Sequence, residues 1–122
     1  MVIVNKLVTN RVPVMMAQSK TGISAEMQAA MKPEKIGYRL KLLRESQELK
    51  PAEMADLLGI ERTYWSRFEN GKRAISDTVA VLLVERFGVT LDFLILGRWD
   101  RLPLDLAVSM RSLDEKYTSS ND

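Results

Sequence analysis

The sequence predicts an all-α fold, on three observations. Apolar residues recur at helical spacing from Pro33 onward, and helix-starting and helix-stopping residues bracket each stripe. No run between residues 33 and 116 alternates well enough for a strand. Taken in order, Ser24 is placed to cap a short helix reaching Met31. Pro33 suits the first turn of the next helix and Glu34 adds favourable negative charge there; Ile36, Leu40 and Leu43 then mark a stripe running to about Gln47. Pro51 opens another, with Met54, Ala55 and Leu58 as its apolar positions and Gly59 as its stop. A helix from Arg62 to Glu69 buries Trp65 and Phe68 and ends at Asn70-Gly71. Ser76 caps a helix over residues 77–87, whose Val-Ala-Val-Leu-Leu-Val run predicts burial on most sides. Thr90 caps a short helix through Leu96 before Gly97, and Leu102-Pro103-Leu104 starts a last one reaching about Lys116.

Three regions follow: an N-terminal arm (1–32), a compact helical domain (33–97), and a C-terminal extension (98–122) holding a candidate dimerisation helix and a polar tail. The arm has no sustained period, few charges and Met at positions 1, 15, 16, 27 and 31. Two readings stand side by side for it. It is a flexible, disordered arm or swapped element, or it lies upstream of the true start codon.

Composition narrows the function. The 122 residues, 46% hydrophobic and 28% charged, suffice for one core but not two. With no Cys there is no disulfide scaffold, thiolate nucleophile or common zinc-finger ligand set. With no His, the commonest general acid/base near neutral pH is also missing. The acidic residues are scattered and no Gly-rich phosphate loop is present, so the expectation is a protein that is not an enzyme and uses no metal or cofactor. No small-molecule ligand is indicated. No stretch approaches the roughly 20 apolar residues of a transmembrane helix, and the N-terminus lacks the ordered parts of a secretory signal. A cytoplasmic protein without a membrane partner is expected. Net charge is only +2, but residues 1–33 carry +3 and residues 34–74 carry +2, against −2 over 75–100 and −1 over 101–122. That gradient gives weak support to a polyanionic partner on one side.

Residues 51–70 form one constellation. Two short helices meet around Gly59, which permits the positive φ of a sharp turn, and small Ala55 lets the second helix approach. Met54, Leu58, Ile60, Trp65 and Phe68 would fill the angle between them, a pattern that describes a helix-turn-helix. At about 100° per residue, the outward side of the second helix collects Arg62, Thr63, Ser66, Arg67 and Asn70, with no acid among them. Arg bonds guanine O6 and N7 in a bidentate way, and Ser or Thr reaches base edges or a thymine methyl. Tyr64 lies beside the buried face, as core edge or as a phosphate contact.

Residues 36–96 resemble the Cro/phage-repressor (Xre-type) helix-turn-helix family of bacterial and phage regulators. The carrying segments are IGYRLKLLRESQELKPAEMADLLGIERTYWSRFENGKR and FGVTLDFLILG, with SRFENGKR similar to that family's ending of the recognition helix. The resemblance implies a five-helix, phage-repressor-like DNA-binding domain, usually dimeric on palindromic operators. It also implies base readout by Arg62, Thr63, Ser66 and Arg67, and phosphate contacts from Asn70, Lys72 and Arg73. Arg44 and Glu69 match a buried ion pair that braces the motif. Two positions depart from the pattern. Lys50-Pro51 stands where the family has Ser, Thr or Asn followed by Gln, so Lys50 would replace that phosphate contact as a point charge. Glu61 stands at a usual Ser/Thr cap.

The leading expectation is a sequence-specific regulator of transcription that binds double-stranded DNA, in its simplest form a homodimeric repressor. The alternatives are the autoregulating antitoxin of a toxin–antitoxin pair, or an interaction module that has lost DNA binding. Phe93, Ile95, Trp99, Leu102, Leu104, Leu106, Val108 and Leu113 are apolar material for a dimer interface or, alternatively, a cap on the monomer's own core.

Overall fold

The computed structural model describes residues 22–120, and the described residues hold seven α-helices and no strand. These are α1 (Ala25–Ala30), α2 (Pro33–Ser46), α3 (Pro51–Leu58), α4 (Arg62–Glu69), α5 (Asp77–Phe87), α6 (Leu91–Leu96) and α7 (Leu104–Ser120). Residues 1–21 of the expected N-terminal arm lie outside the described residues. Within the remainder, Ser24 Oγ accepts from the Met27 N–H at 3.1 Å and starts α1. Met27 and Ala30 of α1 share a cleft with Leu96 and Arg98 at the end of α6.

Local chemistry sets the helix ends. Ser76 and Thr90 accept from the Val79 and Phe93 N–H groups at 3.2 and 3.0 Å, capping α5 and α6. Gly59 takes φ +71°, so the chain leaves α3 through a left-handed residue at little steric cost.

One core serves all the longer elements. Leu40, Leu42 and Leu43 of α2, Met54 of α3, Trp65 of α4, Leu83 of α5, and Phe93 and Leu94 of α6 are fully buried, and Met110 of α7 joins them. Between them, α2 and α4 cross at backbone range. A Cβ built on Gly37 would lie 2.5 Å from the Glu69 carbonyl oxygen and 2.7 Å from that of Phe68. On α2, Tyr38 Oη donates to Asp114 Oδ1 at 2.6 Å, Tyr117 Oη donates to Glu45 Oε1, and Lys41 sits 4.3 Å from the Tyr117 ring centroid. These contacts dock α7 along α2.

Three expectations need correction. First, α7 runs to Ser120 rather than about Lys116, because Tyr117 is held by Lys41 and Glu45 and keeps the last turn wound. Second, α5 is not buried on most sides. Val79, Ala80 and Leu83 face inward, but Val81 is 53% and Leu82 37% exposed, since only one face of the helix meets the core. Third, most of the apolar material considered for an interface belongs to the protomer's own core. Phe93 and Leu106 are buried, while Ile95, Trp99, Leu102 and Leu113 pack against the core, and only Leu104 and Val108 stand well exposed.

Candidate nucleic-acid interface

The candidate interface is built from α3, the turn at Gly59, and α4. At the head of α3, Pro51 removes one N–H, and Lys50 as N-cap has no side-chain acceptor to offer. Glu53 compensates in part: its Oε1 accepts from the Lys50 N–H at 2.8 Å, the reach-back half of a capping box. That carboxylate sits at the positive end of the helix, where a phosphate would otherwise be favoured. α4 begins without a side-chain cap, because Glu61 makes no capping bond.

Its inward face is Trp65 and Phe68, both buried, and its other side chains are sorted by that choice. Arg62, Thr63, Tyr64, Ser66, Arg67 and Asn70 are exposed on α4 and its C-cap, as are Lys72 and Arg73 just beyond. Within this group, Asn70 Nδ2 donates to Ser66 Oγ at 3.3 Å, and the Arg73 guanidinium lies 4.7 Å from the Tyr64 ring centroid. The Lys72 and Arg73 N–H groups both donate to the Arg67 carbonyl, at 2.9 and 3.3 Å, folding the basic loop back over the end of α4. Lys50 is exposed too, but it sits at the head of α3.

Behind this surface lies a charged brace. Arg44 Nε and Nη2 donate to the two oxygens of Glu69 at 2.8 and 2.7 Å, and Arg44 Nη1 donates to the Leu49 carbonyl at 2.7 Å. Glu69 Oε2 also accepts from Trp65 Nε1 at 2.6 Å. The hydrogen bonds to Glu69 raise the Arg44 pKa above its ordinary value despite burial. One carboxylate thereby ties the core tryptophan, α2 and the end of α4 together.

The sequence reading missed one pair. Arg62 Nε donates to Asp56 Oδ1 at 3.2 Å and Nη2 donates to Oδ2 at 2.8 Å, joining α4 to α3 across the turn. The bonds from Arg62 hold the Asp56 pKa below the usual carboxylate range, and the same bonds raise that of Arg62. Six residues across a turn follow no helical period, so only the three-dimensional fold reveals the contact. The reach-back of Glu53, by contrast, was visible in principle as a capping pattern with Lys in the Ser position.

Two short helices meeting at a left-handed glycine, with a polar outer face on the second, constitute a helix-turn-helix. Residues 35–93 match the model of a family described as a helix-turn-helix domain, and this segment is a helix-turn-helix domain of Xre-like type. Antitoxin PezA of Streptococcus pneumoniae is 34% identical over 55 residues, which are 45% of this chain and 35% of that protein. The chain thus spans about a third of the length of the curated relative it matches. No solved structure matches it. Among the described residues, no helix is long and apolar enough to cross a membrane.

Proposed function

We propose that the protein is a sequence-specific regulator of transcription that binds double-stranded DNA as a homodimer on a palindromic operator and represses by occupying a promoter. The observation that supports this most is the outer face of α4: exposed, acid-free, and clamped from behind by the Arg44–Glu69–Trp65 brace. In this reading α4 enters the major groove. Arg62 and Arg67 contact guanine edges, and Thr63 and Ser66 reach neighbouring bases. Lys50, Tyr64, Asn70, Lys72 and Arg73 hold phosphates and fix the register. One recognition helix reads only a few base pairs, so a twofold pair with half-sites about 34 Å apart supplies the missing selectivity. Val81, Leu82, Leu91, Leu104 and Val108 are among the exposed apolar side chains and would be open to such pairing. Work on DNA puts the protein in the cytoplasm and requires no catalysis or cofactor.

Selection of binding sites from random duplexes with the purified full chain tests the reading. An enriched inverted repeat supports it, and enrichment of no motif overturns it. The similarity to antitoxin PezA favours a second reading, an antitoxin that represses its own promoter. A toxin gene beside this one, whose product is neutralised on co-expression, would select that reading.

A further inference from the structure

We infer that Asp56 is a specificity-determining residue: it holds the Arg62 guanidinium by its side edge, so that the end edge is presented to a guanine in each half-site. The inference rests on the DNA-reading role proposed for α4. A guanidinium carries five N–H donors in a planar fork. The pair with Asp56 uses Nε–H and one Nη2–H, the side edge, on both carboxylate oxygens. One N–H from each of Nη1 and Nη2 remains on the end edge, parallel and pointing away from the carboxylate. Two parallel donors match two adjacent acceptors. In the major groove guanine supplies them as O6 and N7, whereas adenine shows one acceptor and one donor. The end edge therefore selects guanine.

Stability does not explain the pair. The two side chains are 66% and 57% exposed, and an ion pair so open to water adds little to folding. What it supplies is orientation. Arg62 heads α4 at the turn, and a flexible side chain there would otherwise sample many rotamers before meeting a base. The carboxylate also opposes DNA: a negative charge on α3 beside the groove-facing helix repels phosphate. Asp56 thus trades general affinity for selectivity, and those two effects separate experimentally.

The test is binding-site selection with the wild-type full chain and its Asp56→Ala, Asp56→Asn and Arg62→Ala variants, each first shown by thermal melting to be folded. Wild type should enrich a motif with guanine at one position of each half-site. Asp56→Ala should weaken the guanine preference there by about tenfold, within the range of one bidentate base contact. Its affinity for non-specific duplex should hold or rise. Asp56→Asn, which keeps one acceptor oxygen, should retain part of the preference, and Arg62→Ala should lose it at the same position. Guanine preference surviving in Asp56→Ala, or a loss spread evenly over all positions, overturns this inference alone. A wild-type chain that enriches no motif overturns the regulator reading and the inference with it.

Discussion

Replacing Arg44 with alanine removes three hydrogen bonds in one step. Glu69 loses both guanidinium bonds and keeps only the Trp65 indole, and the Leu49 carbonyl loses its donor. The side chains of Arg44 and Glu69 are 10% and 11% exposed, so water cannot readily replace what is lost. Leaving one partner of a buried pair unpaired costs about 3–5 kcal/mol. Against the roughly 5–15 kcal/mol that holds a typical domain together, that is a large share. The thermal midpoint should fall by roughly 10–25 °C, given several degrees per kcal/mol for a domain of this size. Thermal melting by far-UV circular dichroism measures it. The double variant Arg44→Met with Glu69→Met should recover part of the loss, because neither charge is then stranded. An Arg44→Ala chain that melts like wild type yet fails to bind DNA would refute a structural brace and make Arg44 a contact residue.

Gly37→Ala should lower the midpoint by the equivalent of about 1–3 kcal/mol, since its methyl would meet the Glu69 carbonyl at 2.5 Å and force α2 away from α4; an unchanged midpoint would deny the close approach. Burial, and then the bond to Asp114, raise the Tyr38 pKa well above its ordinary value of 10.0. The folded state therefore prefers the neutral phenol: its stabilisation is complete below about pH 10 and is lost as pH climbs toward the folded pKa. Urea titrations from pH 8 to 11 should show an alkaline decline that Tyr38→Phe flattens, and an equally steep decline in the variant would remove Tyr38 as its source. Lys72→Ala should weaken binding to operator and random DNA alike and reduce the slope of log affinity against log salt by roughly one. A slope identical to that of wild type would take Lys72 out of the interface.

The helix boundaries were legible because their punctuation is local. Pro33, Pro51, Ser76, Thr90 and Gly59 act within a turn of their own position, and all of them lie at helix ends in the structure. The end of α7 was not legible, because Tyr117 is held by residues of α2 more than 70 positions away. The valine-rich run of α5 misled for a related reason: apolar content says a residue tends to be covered, not that a neighbour is there to cover it. The same limit applies to Phe93, Trp99 and Leu106, whose partners turned out to lie within the chain. On α4, helical period alone separated Trp65 and Phe68 from the exposed face. Asp56 needed the turn to be folded before its proximity to Arg62 could be seen.

The match to the helix-turn-helix family stops at residue 93, but the core does not. Met110 is fully covered and Leu106 nearly so, both among residues of the matched segment, and Asp114 accepts the phenol of Tyr38. Emptying the space of one such side chain typically costs about 2–5 kcal/mol, and losing α7 would empty two. The segment that matches the family is therefore shorter than the segment that folds. Trimming at Gly97 should yield a chain at the edge of unfolding rather than a minimal DNA reader. In the full chain, loss of the C-terminal helix and loss of α4 should be one event: a single cooperative transition, coincident by circular dichroism and by tryptophan fluorescence. Two separated transitions would mean that α7 rests on the domain without completing it.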